Sequence, residues 1–246
     1  RSKNKLEDHP FKPTVDHPIT KRSIKTYSVD VRTFFHFLYD NEYIEKDIMK
    51  GFKIIKPEKK LVLPLFQGEV DMIDHLFNQK TYRGLRNYCI VHLMIDEGLR
   101  SGDIVNLTTR SVNFDENYVI VLDGKGDKDR IVPLAKRLRQ PLYKYLTFHR
   151  PYTSEHDFLF CSLNDPEEPF TLDAMKSLFA RIKRETDLKR LKPHLLRHTF
   201  ATSFILGGGD LESLRLYLGH VSIETTQQYL HLANLYSRMG SDIYKL

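Results

Sequence analysis

Two cysteines in 246 residues leave little room for a disulfide framework. Cys89 and Cys161 lack CxxC spacing and lie in the apolar stretches YCIVHLM and FLFCSL, so both read as buried thiols rather than zinc ligands. No run of about 18 apolar residues occurs, which removes a membrane-spanning helix. The opening RSKNKLEDHPFK also lacks the apolar stretch of a signal peptide. A soluble protein of the cytoplasm, with no membrane partner, is therefore expected. There is no GxxxxGK(S/T) nucleotide loop, no internal repeat and no low-complexity segment.

What is present is positive charge, unevenly spread. The formal net charge is +6 and the isoelectric point about 9.1. Residues 1–60 carry 14 Lys/Arg against 9 Asp/Glu, and the rest of the chain carries 24 against 23. The front segment is thus the better candidate for tracking a polyanion. Within it, Ile24, Tyr27, Val31, Phe34, Phe35 and Leu38 recur at helical spacing, with Lys21, Arg22, Lys25 and Arg32 on the other face. Those four bases are candidate phosphate contacts, with a solvated helix face as the alternative. The stretch KIIKPEKKLVLPLF reads as a linker. The expected division is a helical module over 1–60, incomplete by itself, and a second domain over 61–246.

The second domain reads as mainly α (α+β). Helices are expected at 67–79, 82–98, 101–107, 134–149, 172–186, 193–206, 211–218 and 223–231. A small three-stranded antiparallel sheet is expected at 111–114, 118–122 and 130–133.

Four stretches of that domain can carry chemistry. In PHLLRHTF (193–200), a proline opens a helix and places His194, Arg197 and His198 along one side. A zinc protease needs glutamate where Leu195 stands, so no metal is expected there. In MIDEGLRSGDIVNL (94–107), Arg100 follows a helix end at Gly98, and Asp103 can brace its guanidinium. In LDGKGDKDRIVPL (122–134), Lys125 sits between two glycines at a hairpin tip, with Lys128 as its rival. In LGHVSIETTQQYLH (218–231), a Gly219–His220 corner precedes Tyr229. Singly, each has a bland reading as core, surface or helix end. Together, two arginines, two histidines, a lysine and a tyrosine suffice for phosphoryl transfer with no metal and no cofactor.

With these blocks in hand, the chain resembles the tyrosine recombinases, the family of phage and transposon integrases and chromosome-dimer resolvases. EGLRSGDIVNL, PHLLRHTFAT and LGHVSIETTQQYLH carry the resemblance, which spans about residue 20 to residue 246. It implies that Arg100 and Arg197 clamp a scissile phosphate of double-stranded DNA while His194 and His220 donate to it. Lys125 then protonates the leaving 5′ oxygen and Tyr229 forms a 3′-phosphotyrosyl link. Asp103, where the family usually has glutamate, and His198 are supporting residues. The resemblance further implies a homotetramer on DNA and strand exchange through a four-way junction. The tail stripe Leu232, Leu235, Met239 and Ile243 is expected to dock on a neighbouring protomer or on its own domain. Two other readings stay open: a type IB topoisomerase-like relaxing enzyme, and a catalytically silent DNA-binding relative.

Overall fold

The computed structural model describes residues 19–55, 62–122, 129–153, 156–239 and 243–246. It forms two compact units, Arg1–Leu61 and Val62–Leu246.

In the first unit, α1 (Lys21–Asp40) starts where the Thr20 hydroxyl accepts the Ser23 N–H at 3.1 Å. It ends where the Asn41 amide donates to the Phe37 carbonyl at 2.9 Å. The apolar stripe is only half covered. No residue of α1 is buried, and Tyr27 and Phe34 are 60% and 57% exposed. Ile24, Phe35 and Leu38 of the same stripe are partly covered.

The second unit is built round α3 (Tyr82–Ile95), where Leu85, Cys89, Ile90, Val91, Leu93, Met94 and Ile95 are all buried. Each such aliphatic side chain contributes about 1.5–3 kcal/mol by leaving water. Cys89 and Cys161 are free and buried, and burial pushes the Cys89 thiol well above its usual range. The other helices of the unit are α2 (Gln67–His75), α4 (Ser101–Asn106), α5 (Lys136–Lys144), α6 (Leu172–Thr186), α7 (Pro193–Leu206), α8 (Leu211–Leu218) and α9 (Glu224–Met239). Packing of α7 on both α3 and α9 links the core to the C-terminal helices. The sheet has β1 (Val112–Asn113), β2 (Tyr118–Val121) and β3 (Arg130–Pro133) in that order, all antiparallel.

Three departures from expectation have physical causes. The first helix predicted to reach Gly98 stops at Ile95, because Gly98 takes φ +68° and the Leu99 N–H turns back to the Leu93 carbonyl at 3.0 Å. The helix expected over 134–149 is α5 followed by a π-type turn, Tyr145–His149, closed by the Arg150 N–H on the Tyr145 carbonyl at 2.7 Å.

The third concerns the last helix, which does not stop at His231 but runs on to Met239. Its covered face is Thr226, Tyr229, Ala233 and Tyr236, whereas Leu235 from the expected stripe is 42% exposed. Ile243 and Tyr244, 3% and 1% exposed, seat on the start of the same unit. Ile243 bridges to Phe66, and the Tyr244 N–H donates to the Leu65 carbonyl at 3.1 Å. The Tyr244 hydroxyl donates to Asp96 and accepts from Arg137 at 2.8 Å.

Candidate active site

Pro193 occupies the first position of α7, where its fixed φ suits a helix start and its missing N–H costs nothing. One turn later Arg197 points inward, 6% exposed. Its guanidinium donates to the Gly98 carbonyl at 2.6 Å and to the Leu218 carbonyl. Those two oxygens lie just past the end of α3 and at the end of α8, where carbonyls need outside donors. A single side chain therefore ties two helix ends to a third helix. Burial first, then the neighbouring Arg100, push its pKa down to about 9. It remains a cation at neutral pH, held in crowded positive surroundings.

Gly98 and Gly219 shape the corner. A Cβ at Gly98 would lie 2.3 Å from the Phe200 ring, so only glycine lets the chain pass at φ +68°. Gly219 takes φ +59° after α8, and its carbonyl accepts from Arg100 at 2.9 Å. Arg100 itself is half-buried.

The Asp103 carboxylate caps the first turn of α4, accepting the backbone N–H of Arg100 at 2.6 Å. It also pairs with the guanidinium of Arg130 on β3. Arg130 also donates from Nε to the Tyr217 carbonyl at 3.0 Å. Sequence reasoning missed this residue because an RIVP strand suggests apolar residues inward. The register reverses that, pairing Arg130 with Val121, so that Arg130 is buried and Ile131 is 57% exposed.

His220 follows the glycine. Its ring Nδ1 is 2.9 Å from the hydroxyl of the fully buried Thr226, and Arg215 fixes its carbonyl at 3.0 Å. Burial, then Arg197, Arg100 and Arg130, push the imidazole down to about 4, so it is neutral at pH 7. Thr226 was also missed; its only sequence signal is its place in a polar run before Tyr229.

Tyr229 lies in the second turn of α9, 7% exposed. Burial raises its phenol pKa, and Arg197 pulls it the other way. Its ring packs on His198, with centroids 5.4 Å apart. The His198 Nε2–H donates to the Val62 carbonyl at 2.7 Å, which fixes the ring under the tyrosine.

Arg100, Arg197, His220 and Tyr229 are thus gathered round the corner formed by Gly98 and Gly219. His194 is exposed in the first turn of α7 and lines a cleft of about 440 Å³ with Ser101, the chain neighbour of Arg100, and with Lys176, Lys183 and Lys192. Lys125 and Lys128 lie outside the described residues. In the first unit Lys21, Arg22 and Lys25 are exposed and Arg32 is partly so. Among the described residues no cluster of three His, Cys, Asp or Glu side chains forms a metal site, and no helix is long and apolar enough to cross a membrane. Fixed donors beside a neutral imidazole and a phenol suit a phosphodiester oxygen and a nucleophile.

Comparison with known proteins identifies the family. The phage integrase family matches residues 65–235. A tyrosine recombinase XerC of Staphylococcus aureus (strain JH9) is 32% identical over 221 residues, covering 88% of this chain and 72% of the relative. The crystal structure of XerA recombinase superposes with a TM-score of 0.63 at 26% identity, covering 90% of this chain and 84% of the other. The Tn1549 transposon integrase, solved in complex with a circular intermediate DNA, shares the fold at a TM-score of 0.69 and 17% identity, covering 91% and 85%. The chain belongs to the phage integrase family and is a tyrosine-type site-specific DNA recombinase.

Proposed function

We propose that this chain cuts and rejoins duplex DNA through a phosphotyrosyl link at Tyr229. Arg100 and Arg197 grip the nonbridging oxygens of the scissile phosphate, and His220 and His194 donate to the same oxygens. A neutral His220 donates from Nε2 when its Nδ1, 2.9 Å from the Thr226 hydroxyl, accepts that hydroxyl's proton. The Tyr229 oxygen bonds to phosphorus as the bond to the 5′ oxygen breaks. The phenol's proton passes to solvent as the leaving oxygen takes one from Lys125. The free 5′ hydroxyl of a partner strand reverses the step, so the phosphodiester energy is kept and no nucleotide is consumed.

Lys21, Arg22, Lys25 and Arg32 on α1 serve as contacts to the DNA backbone. Four protomers hold two duplexes and exchange strands in pairs through a four-way junction. The C-terminal residues, seated on their own unit through Ile243 and Tyr244, are released to a neighbouring protomer on assembly.

The observation that carries this reading is the convergence of Arg100, Arg197 and His220 on one corner with Tyr229 buried beside it. A nicked suicide duplex carrying the element's own end tests it. The native chain is expected to form a covalent protein–DNA species and Tyr229→Phe none. Binding without a covalent species would instead mark a silent relative. Covalent species with relaxation but no recombinant product from two sites would mark a topoisomerase.

A further inference from the structure

Arg130 joins three elements of the site. Its Nε donates to the Tyr217 carbonyl at the end of α8, and its Nη2 pairs with the Asp103 carboxylate in the first turn of α4. A Cβ at Gly219 would fall 3.2 Å from its Cδ and 3.4 Å from its Nη1, and 3.5 Å from Nη1 of Arg100. Both guanidiniums therefore lie under the same glycine. The Arg130 side chain is 6% exposed, and its Nη1 is buried with no acceptor. A buried donor left unpaired is a cost that a merely structural arginine would shed.

We propose that Arg130 is a positioning residue of strand transfer, a strut that locks β3, the start of α4 and the end of α8 together so that Arg100 and His220 meet the phosphate in register. This inference rests on the recombinase reading above. Two physical arguments support it. First, Asp103 is needed to cap the Arg100 turn, but a bare carboxylate there would repel an incoming phosphate; Arg130 neutralises it. Second, the contacts require a planar fork, because one nitrogen faces Asp103, a second faces Tyr217 and a third lies under Gly219. A lysine ammonium, a single point charge, cannot span them.

The whole chain and the nicked duplex provide the test, with covalent complex formation and gel-shift affinity measured side by side. Arg130→Gln and Arg130→Lys are each expected to slow covalent complex formation on the order of 100-fold while affinity changes less than about threefold, since small misplacement of reacting groups acts on rate. Adding Asp103→Asn to Arg130→Gln is expected to restore about tenfold, because the orphaned carboxylate is removed and the two changes are not additive. In Arg130→Gln the His220 imidazole, followed by NMR with Arg100 and Arg197 still facing it, titrates above its native value of about 4. Native-like rates in both single variants overturn the strut. So does a loss of rate that only matches a loss of affinity. Should Arg130→Gln fail to fold, Arg130→Lys, which keeps the charge, carries the comparison. If the native chain itself formed no covalent species, the recombinase reading would fall instead, and the two failures are distinguishable.

Discussion

Tyr229 and His198 pack ring on ring, 5.4 Å apart and tilted by 48°. The proposed nucleophile is packed against α7 rather than held out to solvent. In the free chain it should therefore resist tetranitromethane while Tyr27, Tyr43 and Tyr152, at 60%, 72% and 89% exposure, are nitrated. Peptide mass spectrometry reads the result. Nitration of Tyr229 as fast as Tyr152 would show that the phenol is not kept in place.

His220 and Thr226 yield a paired prediction. Thr226→Val removes the hydroxyl 2.9 Å from the imidazole Nδ1 and should slow cleavage about tenfold, the worth of one hydrogen bond, whereas Thr226→Ser should not. The pH dependence has a definite sign. The folded chain favours neutral His220, so its contribution to stability is complete above the ordinary value of 6.5 and is lost as pH falls through about 4. Thermal melts between pH 6.5 and 4 should fall less steeply for His220→Asn than for the native chain; equal slopes would contradict the shift.

Glu97, 1% exposed, accepts the Ala135 N–H at 2.6 Å, and burial pushes its carboxyl up to about 8. Here the folded chain favours the protonated form. The contribution is complete below 4.5 and is lost as pH rises through about 8. Glu97→Gln, which copies the neutral acid, should match the native melting temperature at pH 5. At pH 9 it should exceed it by about 3–6 °C, equivalent to about 1–2 kcal/mol. A native chain as stable as the variant at pH 9 would refute this.

Gly219→Ala tests the corner. Alanine at φ +59° costs about 1–2 kcal/mol, and its methyl would press on Arg130 and Arg100. Urea unfolding should register that modest loss while covalent complex formation falls much further. Equal losses in the two measurements would make the glycine a purely structural turn.

The helices carrying the site were legible where caps are chemical. α6 and α8 begin at Thr171 and Asp210, whose side chains accept N–H groups of Ala174 and Ser213. α7 begins at Pro193, and these three helices have the bounds the sequence indicated. The last helix was misjudged because its inward face is made of Thr226, Tyr229, Ala233 and Tyr236 rather than the leucines that dominate apolar periodicity. In the site, Arg100, Arg197 and His220 could be named because their spacing to helix ends is local. Arg130 could not, since its inward direction depends on strand register and its partners are Asp103 and Tyr217, far along the chain.

The seam between Leu65–Phe66 and Ile243–Tyr244 has a consequence for handling the molecule. Peeling the last residues away strips the Leu65 carbonyl of its donor and leaves Asp96 and Arg137 without the phenol they share. Any partner that captures Ile243 and Tyr244 therefore also loosens the floor beneath α3.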